Sequence, residues 1–120
     1  MKALICEDDE IMMKAISHKL SRDGIEIIEA IDGKMAIEKI NEFEFDIIIT
    51  DLMMPFLNGM EIINHVRQVK ELKTPIVVLS KVGLENTVLD AFRLGADDYI
   101  TKPFSPSELS IRIKRLLMKL

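Results

Sequence analysis

Residues 46–59 read DIIITDLMMPFLNG, and their order decides the fold class. The residues from Ile47 to Thr50 have the character of the end of a buried strand, and Ile47–Ile49 is continuously apolar. An unbroken run of that kind is how a strand covered on both faces reads, whereas a half-exposed strand would alternate. The run stops at Asp51. A carboxylate in such a place is costly unless a cation, a hydrogen bond or a chemical task accounts for it.

Working outward, short apolar runs alternate with segments of helical period along the whole chain. The strand candidates are Ala3–Cys6, Ile25–Glu29, Phe45–Thr50, Ile76–Leu79 and Asp98–Thr101. Ala3–Cys6 and Ile76–Leu79 are as apolar as Ile47–Ile49, while Ile25–Ala30 alternates with polar residues, as a strand nearer an edge should. The helix candidates are Asp9–Arg22, Gly33–Asn41, Gly59–Val69 and Glu85–Leu94, the last ending at Gly95, a favoured C-terminal cap. A fifth begins after Ser105, with Pro106 in its first turn and Glu108 placed for a capping box, and Ile111, Ile113, Leu116 and Leu117 form its apolar positions. Five β–α pairs in succession predict a single α/β domain over residues 1–120, an open doubly wound parallel sheet with right-handed crossovers. Ligands of such sheets bind beyond the carboxyl ends of the strands.

Composition narrows the function classes. Hydrophobic residues are 48% and charged residues 30% of the 120, the balance of a soluble globular protein. No apolar run approaches a membrane span and no secretory signal opens the chain, so a cytoplasmic protein with its natural N-terminus at Met1 is expected. Cys6, the only cysteine, reads as a small buried hydrophobe. A net charge of −4 argues against gripping nucleic acid through its phosphates.

The strand ends carry the chemistry. Glu7, Asp8 and Asp9 follow the first strand, Asp51 the third, Ser80 the fourth, and Lys102 closes the fifth. Converging carboxylates take up protons or bind a cation, and an oxygen-rich, incompletely caged site suits Mg²⁺. Aspartate can act as a nucleophile towards phosphorus, with a metal and a lysine neutralising the transferred oxygens. Ser80 could donate a hydrogen bond to the transferred group. Asp51 thus reads as the acceptor of a phosphoryl group.

EDD at 7–9, TDLMMPFLNG around Asp51, LS at 79–80 and GADDYITKPFSPSEL from Gly95 together resemble the receiver domain of bacterial response regulators. The resemblance covers essentially the whole chain, and it implies a flavodoxin-like sheet of strand order 2-1-3-4-5 with five helices. By resemblance Asp51 is the phosphoacceptor. Glu7 and Asp8 organise Mg²⁺ (for which Mn²⁺ can substitute), Asp8 as direct ligand and Glu7 through water, and the main-chain carbonyl of Met53 joins them. The register Asp8–Asp9 for the acidic pair stays open. Lys102 resembles the phosphate-binding lysine, and Ser80 with Tyr99 the switch pair that couples phosphorylation to a change of surface. The implied donor is a sensor histidine kinase or phosphotransfer protein. The implied role is a switch that turns over no external substrate. Whether the natural protein continues into an output domain is left open.

Several positions depart from the family pattern. Lys81 stands where a small residue is usual, and Met53 and Val82 are apolar neighbours of the path by which water would attack an acyl phosphate, so a long-lived phosphoryl group is expected. The last third resembles receivers of the winged-helix transcription-factor class, which dimerise through cross-interface ion pairs. Asp98 and Arg112 match one pair and Glu108 half of another, whose basic partner is replaced by Val88. The methionines at 12, 13, 53, 54 and 60 read as core filler. SHKLSRDG around His18 faintly resembles a histidine-kinase phosphoacceptor box, but nothing else of a kinase fits this length, and His18 and His65 read as exposed helix residues. Two rivals are a receiver-like interaction module that is never phosphorylated and a phosphatase of the haloacid-dehalogenase type. The latter wants a second aspartate at position 53, which here is Met53.

Overall fold

The computed structural model describes residues 1–118. Five strands, β1 (Lys2–Cys6), β2 (Glu26–Ala30), β3 (Ile47–Asp51), β4 (Ile76–Lys81) and β5 (Asp98–Lys102), alternate with helices α1 (Glu10–Arg22), α2 (Gly33–Glu42), α3 (Gly59–Asn64), α4 (Glu85–Leu94) and α5 (Pro106–Met118). All four pairings are parallel, in the order β2-β1-β3-β4-β5. The alternating β2 does lie at an edge, and the uninterrupted β1, β3 and β4 fill the centre.

Strand alternation builds two cores. Leu4, Cys6, Ile48, Ile76 and Val78 pack with α2, α3, the turn that follows α3, and α4 through Ala36, Ile40, Ile62, Ile63, Val66 and Ala91. On the opposite face Ala3, Ile5, Ile47, Ile49, Val77 and Leu79 pack with α1 and α5 through Met13, Ile16, Leu20, Leu109 and Ile113. Layers on both faces leave the carboxyl edge of the sheet open, and register levels it: Cys6 lies opposite Thr50 and Asp51 opposite Leu79.

Local chemistry sets the boundaries. Asp9 caps α1 by accepting from the amides of Ile11 and Met12, Asn58 caps α3 through the Glu61 amide, and Ser105 Oγ accepts from the Glu108 amide at 3.1 Å. Gly95 ends α4 at φ 121°, a conformation L side chains resist.

The third helix differs from expectation. Only Gly59–Asn64 is α-helical, and His65–Val69 forms a π-helical turn closed by the Lys70 amide on the His65 carbonyl. Arg67 fixes that wider turn by donating to the carbonyls of Gly95 and Leu72 and to Asp97 Oδ2. His65 is half-buried rather than exposed, bonded to Asn41 Oδ1. Ile111 and Leu89 sit at helix-period positions but face outward, and Met53 is 56% exposed rather than core. Helical period marks a stripe, and the neighbouring element decides how much of it is covered.

Candidate functional site

The levelled strand ends bring Glu7, Asp51 and Lys102 into one cluster. Lys102 Nζ donates to Glu7 Oε1 at 2.7 Å and to Asp51 Oδ2 at 2.6 Å. Glu7 and Asp51 are only 1% and 4% exposed. Each carboxylate keeps a second partner: the Asp9 amide donates to Glu7 Oε2 and the Met53 amide to Asp51 Oδ1. Asp51 is thereby gripped at both oxygens, which fixes the orientation of its carboxylate.

The backbone under Asp51 is equally constrained. Thr50 Oγ1 donates to the Asp51 carbonyl, and the Gly59 amide donates to the Leu52 carbonyl. A Cβ at position 59 would lie 2.5 Å from the Asp51 carbonyl oxygen, so α3 can start this close to the strand end only with glycine there.

Asp8 faces solvent, and one oxygen each from Glu7, Asp8 and Asp51 lies within 4.8 Å of the others. Asp9 is occupied with capping α1. The structure therefore groups Glu7 with Asp8 and sets Asp9 apart. Three carboxylates against one ammonium leave the cluster negative, and an all-oxygen donor set with an open side fits a hard divalent cation. Burial raises the Glu7 pKa above the usual carboxylate range, outweighing the Lys102 hydrogen bond that lowers it. For Lys102 burial works against the charge, but the bonds to Asp51 and Glu7 prevail and hold its pKa above the ordinary lysine value.

Ser80, next to last in β4, is buried beside a cavity of about 380 Å³ that Val88, Phe92, Tyr99 and Thr101 also line. Tyr99 lines that cavity yet stays 40% exposed, with its ring edge-on to Phe92 at 5.9 Å and 85°. Lys81 and Val82 are exposed at the cavity's rim. Asp98, Glu108 and Arg112 do meet, within this chain: Asp98 accepts from Arg112 at 3.2 Å and from Arg115 at 3.0 Å, and Arg112 lies 3.8 Å from Glu108. Arg115 was missed by the sequence reading, although its spacing of three from Arg112 puts both on one helix face.

A sequence model of the family described as the response regulator receiver domain matches residues 3–114. The alkaline phosphatase synthesis transcriptional regulatory protein PhoP of Bacillus subtilis is 38% identical over 118 residues, covering 98% of this chain and 49% of that protein. The transcriptional regulatory protein ResD of the same organism is 39% identical, covering 98% and 48%. The transcriptional regulatory protein SrrA of Staphylococcus aureus is 38% identical, covering 97% and 47%. This chain spans about half the length of these curated relatives. Among solved structures, the receiver domain of the Francisella response regulator 1452 has a TM-score of 0.89 at 36% identity, covering 97% of this chain and 95% of that one. The chemotaxis response regulator CheY4 of Vibrio cholerae has a TM-score of 0.87 at 32% identity, covering 96% and 97%.

Proposed function

The chain belongs to the response regulator receiver domain family of two-component signalling, and from that premise we propose that Asp51 accepts a phosphoryl group from a phosphohistidine of a sensor histidine kinase or phosphotransfer protein. The observation that carries this reading is the buried Asp51 carboxylate, held at one oxygen by Lys102 and at the other by the Met53 amide. An Asp51 oxygen attacks phosphorus, the Oδ–P bond forms as the P–N bond breaks, and the imidazole leaves with its electron pair and takes up a proton. Lys102, already charged between Glu7 and Asp51, is placed to follow the phosphoryl oxygens as they arrive. Ser80 near the end of β4 supplies a hydroxyl for the same group, and Tyr99 then moves into the cavity beside it.

Glu7, Asp8, Asp51 and the Met53 carbonyl would hold Mg²⁺ or Mn²⁺, with Asp8 the direct side-chain ligand and Glu7 acting through water. The bound ion supplies neutralisation of phosphoryl charge. Exposed Lys81 and Val82, with Met53, hinder water at the acyl phosphate and prolong its life. In this reading the domain is a switch acting on an output or partner in the cytoplasm, with no external substrate and no nucleic-acid contact of its own. Among the described residues no helix is long and apolar enough to cross a membrane. Phosphorylation-dependent pairing of two copies through the Asp98, Glu108 and Arg112 face belongs to the same proposal, and light scattering with and without beryllofluoride tests it, a monomer in both states excluding it.

The decisive test is incubation with acetyl phosphate and Mg²⁺ followed by intact mass. A metal-dependent gain of about 80 Da on the wild type and none on Asp51→Asn is expected. No adduct on the wild type, with hydrolysis excluded by beryllofluoride trapping, would instead favour an interaction module that is never phosphorylated.

A further inference from the structure

We propose that Phe92 is the anchor that holds Tyr99 outward and thereby sets how readily this domain switches. The inference deepens the reading of Ser80 and Tyr99 as a switch pair and rests on it. Tyr99 itself lines a cavity of about 380 Å³ whose wall joins the apolar Val88, Leu89 and Phe92 to Ser80, Glu85 and Thr101. Burial alone would draw a ring into such a space. Tyr99 nevertheless remains 40% exposed, and Phe92, a helix-period apolar residue of α4, remains 38% exposed.

The edge-to-face contact accounts for both. Ring centroids 5.9 Å apart at 85° form a favourable quadrupole pair, and each ring shields the other. When Tyr99 moves inward this pairing geometry is broken and the Phe92 ring is left more open to water. The outward state is thus stabilised by a residue that touches neither the carboxylate cluster nor the incoming phosphoryl group. Phe92 acts through Tyr99 and is a positioning residue.

Two states in equilibrium make this measurable, because a ligand favouring the inward state binds in proportion to the fraction already inward. Tyr99 is the only tyrosine and the chain has no tryptophan, so intrinsic fluorescence reports this ring alone. The protein is titrated with beryllofluoride in Mg²⁺ while tyrosine emission is followed. Wild type should show a saturable change. Phe92→Ala should saturate at a concentration lower by about two- to tenfold, the range an aromatic pair sustains. Phe92→Tyr keeps an aromatic edge; because it adds a second tyrosine, its midpoint is read from bound beryllofluoride by fluorine NMR beside wild type, and it should match the wild-type value, an outcome that mere loosening of α4 would not produce. Circular dichroism checks that each variant is folded. If wild type responds and folded Phe92→Ala has an unchanged or weaker midpoint, the anchor is refuted while the acceptor reading stands. If wild type shows no metal-dependent response, both fall together. Should Phe92→Ala fail to fold, Phe92→Leu replaces it, with the same tightening expected and an unchanged midpoint again refuting the anchor.

Discussion

Replacing Lys102 by methionine should cost about 3–5 kcal/mol of folding stability, the range for removing one partner of a buried ion pair. Its ammonium serves two nearly inaccessible carboxylates, Glu7 at 2.7 Å and Asp51 at 2.6 Å, and is itself largely covered. Methionine keeps the apolar stem but leaves two buried like charges facing each other without a cation. A second substitution makes the argument sharper. In the wild type, Glu7→Gln turns the ion pair with Lys102 into an ammonium–amide hydrogen bond and sets an NH2 against the Asp9 amide that donates to Glu7, and should cost about 1–2 kcal/mol. With Met at 102, the same Glu7→Gln removes one of two unpaired carboxylates and should be stabilising. The effect of Glu7→Gln therefore changes sign between the two backgrounds. Urea unfolding of all four proteins near neutral pH with chelator present measures the cycle, since contacting residues are where additivity fails. Added Mg²⁺ should raise the stability of Lys102→Met more than that of wild type, because the site then lacks its own cation. The reasoning is refuted if Lys102→Met costs under about 1 kcal/mol, or if Glu7→Gln is equally destabilising in both backgrounds.

Gly59→Ala would place a Cβ 2.5 Å from the Asp51 carbonyl oxygen and 2.9 Å from Leu52 Cα. It should lose about 1–3 kcal/mol and slow acetyl phosphate labelling at least about tenfold. Gly33→Ala, whose Cβ would run into the Leu57 carbonyl oxygen, should lose comparable stability but label normally per folded molecule, so equal labelling by both would sink this assignment. Because the folded-state pKa of Glu7 lies above its ordinary value of 4.5, the native state holds that proton more tightly. Stability from this group is complete below that value and lost as pH rises through the higher folded pKa. Chemical denaturation from about pH 4.5 to neutrality should show the cost of Glu7→Gln shrinking as pH rises, and a cost that stays constant or grows would contradict it. Lys81→Ala should speed loss of the phosphoryl group from labelled protein, and an unchanged or slower rate would remove Lys81 from the account of its lifetime.

Much of this protein was legible without coordinates. The unbroken apolar runs at β1, β3 and β4 and the alternating β2 specified centre and edge, because side-chain period and two-sided burial leave a direct trace in sequence. The residues at the strand ends followed from that frame, as did the chemistry their side chains can perform. Asp9 and Ser105 announced their helix caps because capping is a contact between near neighbours in the chain. What stayed hidden was pairing over distance. Lys102 reaches Glu7 across 95 positions and Asp51 across 51, and only strand order and register decide that these three side chains meet. The same long-range packing chose Glu7 and Asp8 over Asp8 and Asp9 as the pair beside Asp51. It widened the end of the third helix around Arg67, left Ile111 and Leu89 in solvent, and set Tyr99 against Phe92. Periodicity fixes which face a residue occupies, but what covers that face, and which charge lies across it, depends on elements far away in the chain.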